Sequence, residues 1–405
     1  MRINNIISAD KVNTGRQHEV DALKAFSIIM MIITHCVDDL YVNYDEHFIS
    51  SLINDILAQT IGAQGFMICM GIGMIYSRHA EPKSYVHRGV NILIIGQLLN
   101  LIRYGLIFCV SYAISGDPLA RAYSFLVFSS DILQFAGLFL ILSGLIMQLK
   151  LKPGHVFALS VVLNIIGMGL AGRIHTGSYA LDQLLGMFIF TDSESYFPLF
   201  NWFIFPAFGM LLGELMTHVS DKKKFYALTA IPCVIVSVIY YYVAVNFDQP
   251  VFTAIREWKS FCYMRLPDAL AMFFINTLVL CIWFLVTSGL SDKAMEPVRF
   301  VSRNINRYYC VHSVFIYIAA GVLGLALGIE INSPAKCYLT ALIIFICTTV
   351  IVWFYEKYMA RKCTEFFGRH KYVWYAIVII LSVAVCVWSA AGVSEFPNVV
   401  NDYLE

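Results

Sequence analysis

Eleven apolar runs divide the chain, and each is long enough to cross a lipid bilayer. A helix rises about 1.5 Å per residue, so about 20 apolar residues span the hydrocarbon core. The composition agrees: 59% of residues are hydrophobic and 14% charged, whereas a soluble domain must keep a polar surface. We therefore predict an all-α polytopic membrane protein with about eleven transmembrane helices. The runs lie at 21–39, 57–77, 90–114, 131–149, 155–172, 198–217, 225–246, 267–288, 308–329, 337–356 and 373–392.

Lysine and arginine alternate between the connecting segments and so predict the orientation of the chain. The N-terminal segment and every second connection hold 20 of them, and the remaining connections hold six. Under the positive-inside rule the more basic set faces the cytoplasm. The N-terminus is then cytoplasmic and the C-terminus outside. The basic set is Arg2, Lys11, Arg16, Arg78, Lys83, Arg88, Lys150, Lys152, Lys222, Lys223, Lys224, Lys293, Arg299, Arg303, Arg307, Lys357, Arg361, Lys362, Arg369 and Lys371.

Three parts follow from these boundaries: a cytoplasmic segment 1–20, a transmembrane domain 21–392 and an acidic extracytoplasmic tail 393–405. The N-terminal segment lacks the apolar core of a cleavable signal peptide and leads into a run that stays in the bilayer. Most of the 11 cysteines lie within apolar runs and no CxxC pair occurs, which predicts packed small hydrophobes.

The first run, Glu19–Asp39, carries ionisable residues at both ends. Lys24 lies near its start, and His35, Asp38 and Asp39 lie near its end. Such groups are costly in a membrane helix unless they face a cavity or the protein interior, so they form a functional-site hypothesis. Asp39 follows His35 by one helical turn, close enough to orient the imidazole. Alternatively, Lys24 snorkels to the inner surface and the others mark the outer interface.

Glycines recur in the second run at a spacing that lets helices approach closely. They are Gly62, Gly65, Gly71 and Gly73, and Gln64 is the polar group among them. Helix packing is favoured over ligand contact as the reason for these glycines.

The fourth and sixth runs add polar and aromatic candidates. Asp131 is predicted to cap the fourth helix, with Ser130 as the alternative, and Gln134 one turn later is a candidate to face a cavity. Pro206 should kink the sixth helix. Tyr196 and Trp202 either line a cavity beside the kink or belong to an aromatic belt at the outer interface. These groups are further candidates for the site.

Two intramembrane residues need an explanation of their own. Arg103 lies near mid-membrane and should be paired with a carboxylate, a phosphate or a ring of carbonyls, a structural ion pair being the alternative to a functional one. His312 is placed near the cytoplasmic side, where taken alone it is more typical of a packed histidine than of a catalyst.

Several protein classes receive little support. The chain has no Walker-type phosphate loop, no HExxH or paired-cysteine metal site and no GxSxG elbow. A net charge of +1 gives no argument for nucleic acid as a partner. The sequence thus disfavours a pump or a metalloprotease, and we expect no metal and no nucleic acid.

Four stretches together resemble the bacterial heparan-alpha-glucosaminide N-acetyltransferase-like membrane proteins, within the broader acyltransferase-3 superfamily. They are RQHEVDALKAFSIIMMIITHCVDDL, DILQFAGLFLIL, YFPLFNWFIFPAFGMLLGEL and NINRYYCVHSVFIY. The resemblance covers most of the chain. It implies that the family's histidine is His35, its acid Asp39, its first aspartate Asp21, its leading arginine Arg16 and its late histidine His312.

One position departs from the superfamily pattern, because Lys24 stands where an arginine is expected. Lysine keeps the charge but lacks the planar fork that grips a phosphate with two hydrogen bonds. Either a point charge suffices there, or the donor is held elsewhere, for example by Arg88, Arg103 or Lys83.

The resemblance implies acyl transfer. Acetyl-CoA, or another acyl-CoA, would enter from the cytoplasm, and its acyl group would pass to a hydroxyl or amino group of a sugar-like or other small-molecule acceptor outside. His35 would act as general base or transient acyl carrier, and Asp39 would hold its tautomer. Arg16, Lys24 and Arg88, with Arg103, would meet the CoA phosphates. Gln64, Gln134 or Asn304 would stabilise the oxyanion. The remaining predicted acceptor-binding residues are Asp38, Asp131, Tyr196 and Trp202.

The implied location is the cytoplasmic membrane of a bacterium, with the lipid bilayer as a partner. The sequence leaves open whether the chain is a homodimer. The alternative function is a multi-span transporter or permease that uses the buried charges for coupling, although no internal repeat supports it.

Overall fold

The computed structural model describes residues 6–41, 52–77, 81–192 and 195–391, apart from the side chains of 54–56. Arg2, Arg78 and the predicted tail 393–405 lie outside these ranges. The described residues form helices and no β-strand, with three isolated bridges between connecting segments. We number the α-helices in chain order. They are α1 His18–Leu40, α2 Gln59–Ile75, α3 Pro82–Asn100, α4 Phe108–Ser115, α5 Pro118–Tyr123, α6 Ile132–Gln148, α7 Pro153–Leu170, α8 Tyr179–Leu185, α9 Leu199–Trp202, α10 Ile204–Thr217, α11 Lys222–Asn246, α12 Trp258–Cys262, α13 Leu266–Thr287, α14 Glu296–Arg303, α15 Ile305–Ile318, α16 Pro334–Tyr358, α17 Ala360–Arg369 and α18 Lys371–Ala390.

Three π-helical segments and one 3₁₀ turn interrupt this series. The π segments are Leu52–Ala58 before α2, Leu101–Ile107 between α3 and α4, and Ala319–Ala326 after α15, and the 3₁₀ turn is Ser124–Phe128. A π-helix widens the hydrogen-bonded ring and is frequent at functional sites.

The prediction of an all-helical membrane protein is confirmed. Within the described ranges, nine helices or continuous helical segments are long and apolar enough to cross a bilayer. Two further apolar helices, α2 and α6, have 17 residues each and coincide with the second and fourth predicted runs. The count of eleven crossings therefore stays a prediction.

Helix α1 lies at the centre of the bundle. In its most apolar window 67% of the residues are buried, against 22% in α7, α11 and α18 at the periphery. It packs against α2, α13, α14, α15 and α16. A residue on α1 is therefore enclosed by several neighbours, which is the condition under which ionisable groups are tolerated at membrane depth.

Close packing of α2 against α10 depends on two glycines. A Cβ at Gly71 would overlap the carbonyl of Pro206, and one at Gly209 would overlap the carbonyl of Ile68. The packing role predicted for the glycines of the second run is thus confirmed at Gly71, and Gly65 is also tightly enclosed. Gly62 and Gly73 have only ordinary contacts around a Cβ position.

The helix assignment is interrupted near Pro206, and the predicted kink itself stays a prediction. Helix α9 ends at Trp202 and α10 begins at Ile204. The interruption falls at Phe203, three residues before the proline, and Pro206 has no N–H to donate to the carbonyl of Trp202, four residues before it.

The two ends of the bundle differ in their connections. The N-terminal segment crosses one end, where the backbone of Ser8, Val12 and Asn13 donates hydrogen bonds to carbonyls at the end of α10. The 217–224 connection and α14 lie at this same end, because Lys222 pairs with Glu19 and Ser302 donates to Asp21. We call it the basic end. The opposite end, where α1 ends at Leu40, is called the far end.

Prediction on packing. Gly71→Ala should separate α2 from α10 and destabilise the fold by about 1–3 kcal/mol, because the added methyl meets backbone and not a flexible side chain. Thermal unfolding of the detergent-solubilised protein checks this. Gly169→Ala is the matched control, since nothing lies within 4 Å of a Cβ there. Equal midpoints for the two variants would contradict the close approach.

Candidate functional site

His35 and Asp39 form a pair near the far end of α1. The Nδ1 of His35 lies 3.4 Å from Oδ2 of Asp39, the one-turn contact that their spacing predicts. About a third of the His35 side chain is exposed (33%). A carboxylate at Nδ1 places the proton there and leaves Nε2 with a free lone pair, so this ring is oriented as a base.

A second histidine faces the first. The rings of His35 and His312 have centroids 5.8 Å apart. His312 is fully buried, and its Nδ1 lies 2.7 Å from the carbonyl oxygen of Tyr308, which fixes the proton on Nδ1. Its Nε2 is buried without a hydrogen-bond partner among the described residues. The two imidazoles therefore present a pair of lone pairs at one depth of the bundle.

The predicted placement of His312 near the cytoplasmic side, away from His35, is wrong. Helices α1 and α15 run in the same direction, and Ser302, just before α15, hydrogen-bonds to Asp21 of α1. His312 follows Ser302 by ten residues, and His35 follows Asp21 by fourteen residues. The difference of four residues corresponds to about 6 Å of helix rise, which two imidazole side chains can bridge, so the rings lie next to each other.

A buried ion pair lies beside the histidines. Arg103, in the π segment after α3, places a guanidinium nitrogen 2.5 Å from Oδ2 of Asp131, and both side chains are at least 90% buried. Asp131 also accepts hydrogen bonds from the Tyr309 hydroxyl at 2.6 Å and from the backbone N–H of Ile132 at 2.6 Å. The capping role predicted for Asp131 is confirmed, and Arg103 has the carboxylate partner that its burial requires.

Aromatic rings and an amide complete the surroundings of Arg103. Its guanidinium lies 4.7 Å from the ring centroid of Tyr104 and 5.3 Å from that of Tyr317. Asn100 accepts a 3.1 Å hydrogen bond from its Nε. Arg103 is therefore enclosed by two rings and an amide in addition to its carboxylate partner.

Three amides were candidates for an oxyanion donor, and the structure distinguishes them. Gln64 donates its Nε2 to the Gln59 carbonyl, and Asn304 donates its Nδ2 to the Phe300 carbonyl. Gln134 is 2% exposed, and neither of its amide atoms has a partner among the described side chains. Gln134 lies three residues after Asp131, and its Nε2 lies 3.1 Å from the Cβ position of Gly96, so this free N–H is at the interface of α3 and α6.

A cavity of about 250 Å³ opens at the basic end beside Lys24. Its walls come from the N-terminal segment, the start of α1 and the end of α2. Within the described part of the chain, Lys24 has no hydrogen-bond or ion-pair partner. The Tyr76 hydroxyl, another wall group, also lacks one. The cavity thus offers an anion the unpaired Lys24 ammonium and the hydroxyls of Thr14 and Tyr76, and the Asp21 carboxylate also lines it.

The other predicted phosphate-binding residues are placed differently. Arg16 lines the cavity, but it grips Asp21 with two hydrogen bonds of 2.6 and 3.2 Å, and this contact raises the pKa of Arg16. Arg88 is exposed on α3, 5.7 Å from the Tyr85 ring centroid, and does not line this cavity. Arg103 is committed to Asp131. Of the two cations that line the cavity, Lys24 is therefore the one without a carboxylate partner.

The two predicted acceptor-binding aromatics, Tyr196 and Trp202, have different neighbours. Trp202 is fully buried and donates its indole N–H to the Cys262 carbonyl at 2.7 Å. The Tyr196 ring packs at 5.6 Å from that of Trp258, and its carbonyl accepts a hydrogen bond from Ser130. Asp38 is exposed next to Asp39. The contacts of Trp202 are those of a core residue.

Sequence reasoning missed Tyr309, Tyr104 and Tyr317, which enclose the ion pair. The signal available was the spacing of Tyr309 and His312, three residues apart and therefore on one face of a helix. Among the described residues, no three His, Cys, Asp or Glu side chains are arranged to hold a metal ion.

Prediction on the ion pair. Arg103→Met should destabilise the protein by about 3–5 kcal/mol, because it leaves the Asp131 carboxylate buried without its cation. Arg256→Met is the control: its pair with Asp248 is exposed, and such pairs contribute about 0–1 kcal/mol. Thermal unfolding in detergent measures both. A small effect at Arg103 would mean that water or another cation reaches Asp131.

Comparison with known proteins gives the chain a family. No match is found among curated proteins. A family model described as the catalytic domain of heparan-alpha-glucosaminide N-acetyltransferase matches residues 16–243, more than half of the chain. The matched region contains His35, Asp39, Arg103 and Asp131. The chain therefore belongs to the heparan-alpha-glucosaminide N-acetyltransferase catalytic family, and its long apolar helices make it an integral membrane protein.

Proposed function

We propose that this protein is a membrane acetyltransferase that moves an acetyl group from cytoplasmic acetyl-CoA to a hydroxyl or amino group of a sugar-like acceptor outside the membrane. The observation that carries the proposal is the His35–Asp39 pair, held on the central helix of a family member and partly exposed at the far end. The same proposal places the protein in the cytoplasmic membrane of a bacterium and in the acyltransferase-3 superfamily.

His35 acts as the general base. Its Nε2 takes the proton from the acceptor hydroxyl or amine as that group attacks the thioester carbonyl carbon, and the C–S bond then breaks to release CoA. Asp39 stabilises the imidazolium that forms and keeps its Nδ1 proton in place. The partial exposure of His35 supports this role, because a base must reach an acceptor that arrives from outside.

Gln134 stabilises the negative charge that develops on the carbonyl oxygen. Its amide has an N–H group without a partner, whereas Gln64 and Asn304 already donate theirs to backbone carbonyls. A preorganised N–H in a site without water is worth more than the same group in water. The Arg103–Asp131 pair holds this part of α6 in position.

The donor enters at the basic end, which the positive-inside rule assigns to the cytoplasm. Lys24 binds a CoA phosphate as a point charge in the cavity of the N-terminal segment, and Tyr76 donates a hydrogen bond there. The acceptor approaches from the far end, where Asp38 and Asp39 are exposed. Donor and acceptor thus reach His35 from opposite sides of the membrane. A transporter is the less favoured alternative, because family membership points to a transferase.

Prediction on the base. His35→Ala should lower acetyl transfer by about 10²- to 10⁴-fold, the usual contribution of a general base, while the protein stays folded. The assay follows radiolabelled acetyl groups from acetyl-CoA to a panel of hexosamines and hexoses in proteoliposomes. His155→Ala is the matched control, because His155 is exposed at the start of α7. Wild-type transfer by the His35 variant would overturn the proposed role.

Prediction on the donor cavity. Lys24→Gln should weaken CoA binding by about tenfold or more, since a charge-assisted hydrogen bond contributes about 1.5–3 kcal/mol, and Lys24→Arg should retain most of the affinity. Stabilisation of the folded protein by CoA in a thermal-shift titration measures this. Lys83→Gln, an exposed lysine on α3, serves as control. If only the Lys83 variant lost affinity, the phosphates would lie outside this cavity.

A further inference from the structure

We propose that α17 and the short segments on either side of it bind the headgroups of anionic phospholipids, with the helix lying in the plane of the membrane surface. We call residues 357–371 the 357–371 surface. It lies outside the region that matches the family model and takes no part in the reaction proposed above.

The 357–371 surface is at the basic end of the bundle. It connects α16 to α18, and Glu356, close to the end of α16, pairs with Arg307 at 2.8 Å. Arg307 lies in the first turn of α15, directly after α14, which is itself at the basic end. The surface is therefore on the side of the protein that the positive-inside rule assigns to the cytoplasm.

Helix α17 carries apolar side chains without a protein core to pack them against. None of its ten residues is buried. Phe366 and Phe367 are 53% and 45% exposed and lie on one side of the helix, and Arg361 lies on the opposite side. A helix with large apolar side chains on one side and basic residues on the other is typical of a helix that lies at a membrane surface.

Two cations border the aromatic side of α17. Lys362 precedes Phe366 by four residues and Arg369 follows it by three, so the three side chains lie along one line of the helix. Both cations are exposed, and neither has an ion-pair partner among the described residues. Arg361, in contrast, pairs with Glu365 at 3.0 Å. Two unpaired cations next to an exposed ring offer a lipid both a phosphate contact and an apolar contact.

The aromatic side of α17 continues the exposed aromatic surface of the neighbouring helices. The ring centroids of Phe366 and Phe367 lie 6.1 and 5.2 Å from that of Trp374 in α18. Near the end of α16, Trp353 is about half exposed, and the Lys357 ammonium lies 4.7 Å from its ring centroid. Tryptophan concentrates where the apolar core of a bilayer meets the headgroups. This continuity favours lipid over a soluble protein as the occupant.

The charge of the surface identifies the class of lipid. It holds five basic residues and one acidic residue, a net charge of +4 with histidine neutral, whereas the whole chain has a net charge of +1. Clusters of lysine and arginine next to a membrane helix are typical of binding to anionic headgroups, and each such residue adds to the attraction. A zwitterionic headgroup has no net charge to attract them.

Photolabelling of the full-length protein tests the proposal. The protein is placed in phosphatidylcholine nanodiscs with a trace of lipid that carries a diazirine on its acyl chain, either phosphatidylglycerol or phosphatidylcholine, and labelled peptides are mapped by mass spectrometry. The peptide that contains α17 should be labelled about tenfold more by the phosphatidylglycerol probe than by the phosphatidylcholine probe. Lys362→Gln/Arg369→Gln should remove most of this preference, because the substitution removes the two unpaired cations.

The matched control is Lys150→Gln/Lys152→Gln, which makes the same change of charge at two exposed lysines of another basic connection. It should leave the preference at the α17 peptide intact. Equal labelling by the two probes in the wild type, or an equal loss of preference in both double variants, would overturn the proposal. Displacement of the phosphatidylglycerol probe by free glycerol 3-phosphate or by CoA would also overturn it, because the surface would then bind soluble phosphates and not a lipid.

Discussion

The ion pair between Arg103 and Asp131 is the interaction on which the polar interior depends. A lone charge inside an apolar bundle would be strongly destabilising, and each of these groups makes the other tolerable. Asp131 also caps α6 and accepts the Tyr309 hydroxyl of α15, so one carboxylate ties together the segment after α3, the start of α6 and α15. His312 belongs to α15, and its position opposite His35 follows from that connection.

The site combines two histidines in different environments. His35 has a carboxylate at Nδ1 and a side chain that is one-third exposed, whereas His312 is fully buried and has a backbone carbonyl at Nδ1. The first arrangement suits proton exchange with an incoming group. The second keeps a neutral ring next to it, enclosed by Tyr309 and the ion pair. One partly exposed and one enclosed imidazole would suit the proposed reaction, in which the donor and the acceptor come from opposite sides of the membrane.

Local sequence patterns predicted what depends on neighbours within one helix. Apolar run length predicted the helices, the four-residue spacing predicted the contact of His35 with Asp39, and Asp131 was recognisable as a helix cap. Pro206 predicted the break in its helix for the same reason. These features rest on geometry that repeats every turn, so the order of residues in the chain is enough to place them.

The tertiary structure alone decided which groups meet between helices. The carboxylate partner of Arg103 and the meeting of His312 with His35 both depend on how helices are staggered and rotated. A shift of one turn, about 5 Å, would have separated each of these pairs without changing any apolar run. Burial of α1 among five helices set that register, and hydropathy carries no information about it.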